Sequence, residues 1–170
     1  MKIIASLIII ITSTLFGIDI SNKYRKRIIH LRLCIQSLQL LETEMEFSQP
    51  TIQEIFIKLS HHSLFPLSLF YERLNEILKT NIDDFFEIWS IEVDQLHKVT
   101  SLSNEDIEIF KQVGKYIGIY HLNQQKKQIQ LSINYLENQL EEALEQYRKF
   151  GNMALILGLL IGILLVILFY

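Results

Sequence analysis

The sequence predicts an all-α protein, a bundle of about six helices between an N-terminal and a C-terminal transmembrane helix. Two observations lead to this fold class. Both ends of the 170-residue chain are apolar runs, and the stretch between them has apolar residues at the three- and four-residue spacing of amphipathic helices. In addition, six glycines and two prolines leave few of the turn residues that strands and hairpins need.

The rear apolar run, Met153 to Tyr170, has 18 residues and no charge, which is the length typical of a transmembrane helix. The front run, Ile3 to Ile18, has 16 residues, and its few hydroxyls can bond to helix carbonyls in lipid. A cleaved secretory leader is the alternative for the front run, although no small-x-small cleavage site follows it. We expect a retained anchor, and therefore transmembrane helices at residues 1–20 and 151–170 around a helical-bundle domain at residues 21–150.

Basic residues at the inner edge of each apolar run predict the topology. They are Lys23, Arg25, Lys26 and Arg27 after the front run, and Arg148 and Lys149 before the rear run. Because cytoplasmic segments beside transmembrane helices are enriched in Lys and Arg, we expect the central domain in the cytoplasm and both short termini outside. The single cysteine, Cys34, fits a reducing compartment and a buried position.

The first half of the domain has three predicted helices. Apolar residues recur from Ile28 at helical spacing, so the front helix continues to about Phe47. Thr51 to Glu54 form a capping box that begins a short helix. Ser63 and Pro66 fit the first turn of the next helix.

The second half has three more. Asn81, Asp83 and Asp84 are helix-capping residue types before an aromatic-rich helix, and Ser103 to Asp106 resembles a second capping box. The last helix has an apolar seam at alternating spacings of four and three, which runs directly into the rear apolar run: Ile129, Ile133, Leu136, Leu140, Ala143 and Tyr147. The anchors are therefore expected to extend the first and last helices of the domain.

Charge is segregated along the chain. From Glu42 to Glu108 there are fourteen acidic and four basic residues. Such a region is either an ordinary solvated surface or a docking surface for a basic partner. The candidate docking residues are Asp83, Asp84, Glu87 and Glu92. No nucleic-acid partner is expected, because the densest basic cluster lies next to the membrane.

Patterns that carry catalysis or metal binding are weak. The sequence has no Gly-rich phosphate loop, no H-E-x-x-H and no Cys-x-x-Cys, so we predict no enzyme activity and no cofactor. Asp94 and His97 have the spacing of a bundle metal motif, but such a site needs a second pair and further carboxylates. We predict no metal site. A membrane-anchored enzyme or sensor remains the alternative.

Two glycine pairs have the G-x-x-x-G spacing, which lets another helix approach closely. Gly158 and Gly162 lie in the rear apolar run, and Gly114 and Gly118 lie in a helix of the domain. We predict that all four are helix-packing residues. Self-association through Gly158 and Gly162 is one interaction that this spacing allows.

Several segments spread over the chain carry a further pattern: the front apolar run, Leu40 to Met45, Gly114 with Ile117 and Gly118, and Leu157 to Gly162. Together they resemble the stage III sporulation protein AB family of endospore-forming bacteria. Members of that family look like the cytoplasmic helical domain of the F-type platform proteins of type II secretion systems.

The resemblance implies a role in sporulation at the membranes between mother cell and forespore, with the central domain in the mother-cell cytoplasm. The implied partners are the lipid bilayer, a secretion-type ATPase known as the stage III sporulation protein AA, and other subunits of a channel-like complex. The family has no catalytic residues to carry over, so the implied chemistry is binding alone.

Overall fold

The computed structural model describes residues 2–47, 51–79, 84–117 and 122–169, which form helices and short connections without a strand. In chain order the helices are α1 (Lys2–Phe47), α2 (Ile52–His62), α3 (Leu67–Leu78), α4 (Phe85–Val99), α5 (Asn104–Tyr116), α6 (Leu122–Gln146) and α7 (Asn152–Phe169). A five-residue π-helical segment, Tyr147–Gly151, joins the last two. The predicted all-α class is confirmed.

The chain divides into two compact units. The terminal unit contains Met1–Ile28 and Glu141–Tyr170, and the central unit contains Ile29–Leu140. The boundaries fall inside α1 and inside α6, so each of these helices contributes to both units. The predicted division into residues 1–20, 21–150 and 151–170 stays a prediction.

Aromatic side chains fill the core of the central unit. Trp89 of α4 is fully buried, and its ring packs edge-on against Phe70 with centroids 5.1 Å apart. Its indole N–H donates to the carbonyl oxygen of Phe110 at 3.0 Å. Further rings pack in the same cluster: Phe56, Tyr71, Phe85 and Phe110. Rings of this size bury more apolar area than any other side chains, so α2, α3, α4 and α5 are held together mainly here.

The central parts of α1 and α6 supply the remaining core through the apolar positions that the sequence pattern predicts. The buried residues are Leu31, Cys34, Ile35, Leu38, Leu41 and Met45 of α1, and Ile129, Ile133 and Leu136 of α6. A buried polar link joins α1 to α3, since the Tyr71 hydroxyl donates to Ser37 Oγ at 3.0 Å and Ser37 donates to the Cys34 carbonyl at 2.8 Å. Burial raises the pKa of the Tyr71 phenol well above its usual range.

Local capping chemistry sets three helix starts as predicted. Thr51 and Glu54 form a reciprocal capping box at α2, and Ser103 and Asp106 form another at α5. Asp84 caps α4 by accepting from two backbone amides of its first turn. These bonds satisfy amide groups that have no partner inside the helix. Asn81 and Asp83 lie outside the described residues.

Two boundaries differ from the prediction. Ser63 ends α2, because its amide donates to the Leu59 carbonyl at 2.9 Å while its backbone turns extended. The next helix, α3, begins at Leu67 after Pro66, without a side-chain cap.

The link from α6 to α7 also differs from a plain continuation of the seam. Ala143 and Gly151 are both buried, eight residues apart, whereas Phe150 is 50% exposed. A π turn has i→i+5 hydrogen bonds and takes up more chain than an α turn. The π-helical segment therefore moves the buried seam by one residue, so that Gly151 takes the inward place that a strict heptad gives to Phe150.

Candidate functional site

Helix α7 packs on the first part of α1 through small residues of the terminal unit. A Cβ atom added to Gly158 would lie 2.9 Å from the Ser13 carbonyl oxygen, and one added to Gly17 would lie 2.5 Å from the Ala154 carbonyl oxygen. Ser13 Oγ donates to the Gly158 carbonyl at 2.6 Å. The two backbones approach this closely because no side chain separates them.

The other predicted packing glycines have separate surroundings. A Cβ on Gly162 would lie 3.1 Å from the Ile10 Cα atom, also on α1. A Cβ on Gly114 would overlap the indole ring of Trp89, so this glycine lets α5 lie against α4. Gly118 lies outside the described residues. Sequence reasoning missed Gly17, although Ser13 and Gly17 repeat the small-x-x-x-small spacing.

Beside this contact, α1 and α7 line a groove of about 750 Å³, here called the α1–α7 groove. Its walls are mostly apolar, and they include Ile8, Phe16, Leu157 and Leu165. The hydroxyl of Thr12, which also lines it, donates to the Ile8 carbonyl at 2.8 Å. The groove therefore offers hydrocarbon surface with little unsatisfied polar chemistry.

Aromatic residues mark one end of the α1–α7 groove, and basic residues adjoin them in the sequence. Tyr24 and Phe150 line that end and stack with ring centroids 6.2 Å apart. Exposed basic side chains adjoin these two rings in the sequence: Lys23, Arg25, Lys26, Arg148 and Lys149. We call them the basic rim. An anionic group is the chemistry that such a rim favours.

The predicted acidic docking residues have different roles in the central unit. Asp84 is exposed and caps α4, and Glu87 is exposed one turn further. The Glu92 side chain is only 12% exposed and lies 4.0 Å from Arg73 Nη1. Asp83 lies outside the described residues. Among the three described residues, Glu87 presents its charge to solvent while Glu92 faces a side chain of α3.

A shallow hollow of about 250 Å³ lies between α3 and α4, here called the α3–α4 groove. Two exposed apolar side chains stand at it, Phe65 at 68% and Val99 at 58% exposure. Glu72 and Glu76 of α3 are exposed beside a neighbouring hollow that shares Leu69 with it. The basic side chains of Arg73 and Lys98 also line the hollow, but α3 and α4 together carry five carboxylates against these two cations. Apolar surface on helices of net negative charge suits a partner segment that combines an apolar side chain with a basic one.

Asp94 and His97, the candidate pair for an enzyme or metal, have separate partners. Asp94 Oδ1 lies 2.8 Å from Lys111 Nζ, and this hydrogen bond raises the pKa of Lys111. His97 Nε2 lies 3.2 Å from the Leu102 carbonyl oxygen. Across the residues that the structure describes, no group of three or more His, Cys, Asp or Glu side chains is placed to hold a metal ion.

Two helical stretches are long and apolar enough to cross a membrane. They lie in Leu7–Glu46, with a mean hydropathy of 1.2, and in Gln124–Leu168, with a mean hydropathy of 2.7. In both, 11% of the apolar window is buried within the protein, so most of its side chains face outward. Length and composition alone support a membrane association here, without assigning a side of the membrane.

Comparisons with known proteins give one family and one solved fold. A family model described as stage III sporulation protein AB (spore_III_AB) matches residues 2–170. A solved structure described as "Stage III sporulation protein AB (SpoIIIAB)" is similar, with 22% sequence identity and a TM-score of 0.66 over 72% of this chain and 96% of that chain. At this identity, the structural likeness concerns the fold. The search of curated proteins finds no match.

Proposed function

The chain belongs to the stage III sporulation protein AB family, and from this premise we propose that it is a non-enzymatic membrane platform, or adaptor, of a sporulation complex. In this proposal the apolar helices anchor the chain in the cell membrane, the central unit faces the mother-cell cytoplasm, and its surface docks a secretion-type ATPase, the stage III sporulation protein AA. Other subunits of a channel between mother cell and forespore would assemble with it.

The observation that carries the proposal is the combination of exposed carboxylates on α3 and α4 with exposed apolar side chains at the α3–α4 groove. Glu72 and Glu87 present negative charge, and Phe65 and Val99 present apolar area at the α3–α4 groove. Interfaces combine an apolar centre with a charged rim that steers the partner. A basic, partly apolar segment of the ATPase is therefore the partner that this surface fits.

The polar groups of the interior support a binding role for a different reason. The Trp89 indole and the Tyr71 hydroxyl are buried and bonded to groups on neighbouring helices, and the buried Asp106 carboxylate accepts from the Ser103 amide in the capping box of α5. Their hydrogen bonds are used for the fold. The proposal therefore places the contacts with a partner on the surface of the central unit.

Co-purification of the ATPase with the full-length membrane protein tests the docking surface. We expect Glu72→Lys with Glu87→Lys to weaken capture of the ATPase and to leave membrane insertion intact, because both side chains are exposed. Glu92 is not used, since replacing it would place a lysine against Arg73. Glu137→Lys with Glu141→Lys is the matched control, with the same charge change at exposed sites on α6.

Equal capture of the ATPase by the docking variant and the control variant would count against this surface. A second double variant, Phe65→Ser with Val99→Ser, tests the apolar part of the docking surface. We expect it to lower capture of the ATPase at high salt. Screening weakens charge steering but not apolar contact, so the two variants are expected to differ in their salt dependence.

A further inference from the structure

We propose that the α1–α7 groove binds one anionic phospholipid, with an acyl chain along the groove and the phosphate at the basic rim. The inference goes beyond ATPase docking, because it assigns a ligand to the terminal unit. It rests on the membrane insertion that is part of the proposed function.

The apolar part of the ligand follows from the length and lining of the groove. Ile8 and Tyr24 both line it, and they are sixteen positions apart on one α-helix, a distance of about 24 Å at 1.5 Å per residue. One leaflet of a bilayer has a hydrocarbon depth of about 15 Å, half of the ~30 Å core. An acyl chain therefore fits along the groove, whose volume is about 750 Å³.

The glycine contact beside the groove makes this lining possible. Gly158 and Gly17 place the backbones of α7 and α1 against each other, so the bulky neighbours Leu157 and Phe16 turn toward the groove instead. The small residues hold the two helices together and also line the groove between its larger wall residues. A ligand in the groove would not need to separate the helices.

The charged part of the ligand follows from the basic rim. Its five exposed Lys and Arg side chains lie next in sequence to the stacked rings of Tyr24 and Phe150 at one end of the groove. Arg27 donates to Gln146 Oε1 at 3.1 Å, so it is not counted among them. The acidic residues nearest in sequence are Asp19 and Glu145, and both are exposed. Positive charge dominates this end, which favours a net-negative headgroup over a zwitterionic one.

A second copy of this chain, seated with an apolar helix in the groove, is the competing occupant. An apolar helix in the groove has no anionic group to place at the basic rim, so the rim would not strengthen its binding. The groove is also bounded by the same two helices whose small residues already pack on each other. Charge complementarity therefore favours the lipid.

Native mass spectrometry of the full-length protein in detergent, with equal amounts of phosphatidylglycerol and phosphatidylcholine of the same acyl composition, tests the proposal. We expect the phosphatidylglycerol adduct to exceed the phosphatidylcholine adduct. Arg148→Gln with Lys149→Gln should reduce that preference by about five- to thirtyfold, since one basic residue near an anionic lipid contributes about 1 kcal/mol, or roughly fivefold. Lys98→Gln with Lys127→Gln removes the same charge from exposed sites of the central unit and should leave the preference unchanged.

A groove-filling variant tests the acyl chain separately. Thr12 lines the groove and is exposed, so Thr12→Trp should reduce retention of both lipids. Leu164, 63% exposed on α7 and not among the groove residues, provides the matched control Leu164→Trp. Unchanged helix content by circular dichroism would show that each variant folds. If Thr12→Trp does not fold, the basic-rim variants still test the proposal.

Equal retention of the two lipids by the unaltered chain, or a preference that survives Arg148→Gln with Lys149→Gln, would overturn the proposal. A dimer that disappears in Thr12→Trp, without a lipid adduct in the unaltered chain, would identify a second copy as the occupant. Capture of the ATPase is measured separately. If the lipid preference is absent while ATPase capture behaves as expected, the lipid site fails alone. If ATPase capture is unaffected by the docking variant while the lipid preference is present, the docking surface fails alone.

Discussion

The tight approach of α5 to α4 makes Gly114→Ala a sharp test of the central core. The added methyl group would overlap the Trp89 indole ring and lie 2.9 Å from Trp89 Cβ. This ring has little room to move, because it is fully buried, packs on Phe70, and donates to the Phe110 carbonyl. The substitution must therefore displace the ring or push the two helices apart.

The expected cost follows from three terms. Overpacking a close-packed core costs about 1–3 kcal/mol, and weakening the indole hydrogen bond adds about 0.5–1.5 kcal/mol. Alanine offsets part of this, since it is up to about 1 kcal/mol more favourable than glycine inside a helix. With an offset of about 1 kcal/mol, we expect the free energy of unfolding of the Gly114→Ala variant to fall by about 0.5–3.5 kcal/mol.

Denaturant unfolding of the full-length protein in detergent, followed by tryptophan fluorescence, measures this change. The chain has a single tryptophan, Trp89, so the signal reports the central unit. Gln112→Ala is the matched control, because Gln112 is exposed on the same helix and such changes usually stay within about 0.5 kcal/mol. A Gly114→Ala midpoint equal to or above that of the unaltered chain would refute the argument from close packing.

Three further predictions concern the buried polar link and the helix contact. Ser37→Ala should destabilise the protein more than Tyr71→Phe in denaturant unfolding, because it leaves the buried Tyr71 hydroxyl without its acceptor. We expect a loss of about 1–3 kcal/mol for Ser37→Ala and of about 0.5–1.5 kcal/mol for Tyr71→Phe. The reverse order would contradict this account. Burial raises the pKa of Tyr71 in the folded state, so its contribution to stability is present below the unfolded pKa of about 10 and falls as the pH rises above it. Tyr71→Phe should flatten that decline in unfolding measured across alkaline pH, and an equally steep decline would argue against it. A Cβ on Gly162 would lie 3.3 Å from Ser13 Cβ, near the usual Cβ–Cβ separation of a disulfide. Ser13→Cys with Gly162→Cys, in a Cys34→Ala background, should therefore form a disulfide within one chain. A covalent dimer on a non-reducing gel would show pairing between chains instead.

The features that were predictable from the sequence depend on local chemistry. The capping boxes at Thr51 and Ser103 need only residues three apart, and both are present in the structure. The seams of α1 and α6 follow from helical periodicity, which places residues such as Leu38 and Ile133 in the core. Patterns of this kind decide where a helix begins and which face it buries.

The features that were not predictable depend on partners distant in the sequence. Glu92 looks like any exposed acidic residue until α3 brings Arg73 beside it. Gly17 has no meaning in the front apolar run until Ala154 and Gly158 lie against it. The α3–α4 groove likewise arises from how two helices pack, which periodicity does not specify.

The π-helical segment between Gln146 and Asn152 determines which side of α7 meets α1. Its extra residue turns Gly151, Ala154 and Gly158 toward α1, and leaves Phe150 and Leu157 to line the groove. The number of residues in this segment therefore determines the rotation of α7 about its own axis. Removing one residue between Arg148 and Phe150 would convert the π turn to an α turn and keep that rotation. Adding one residue would instead rotate the glycines away from α1 by about a quarter turn, which is the angle between neighbouring residues of a helix with 3.6 residues per turn.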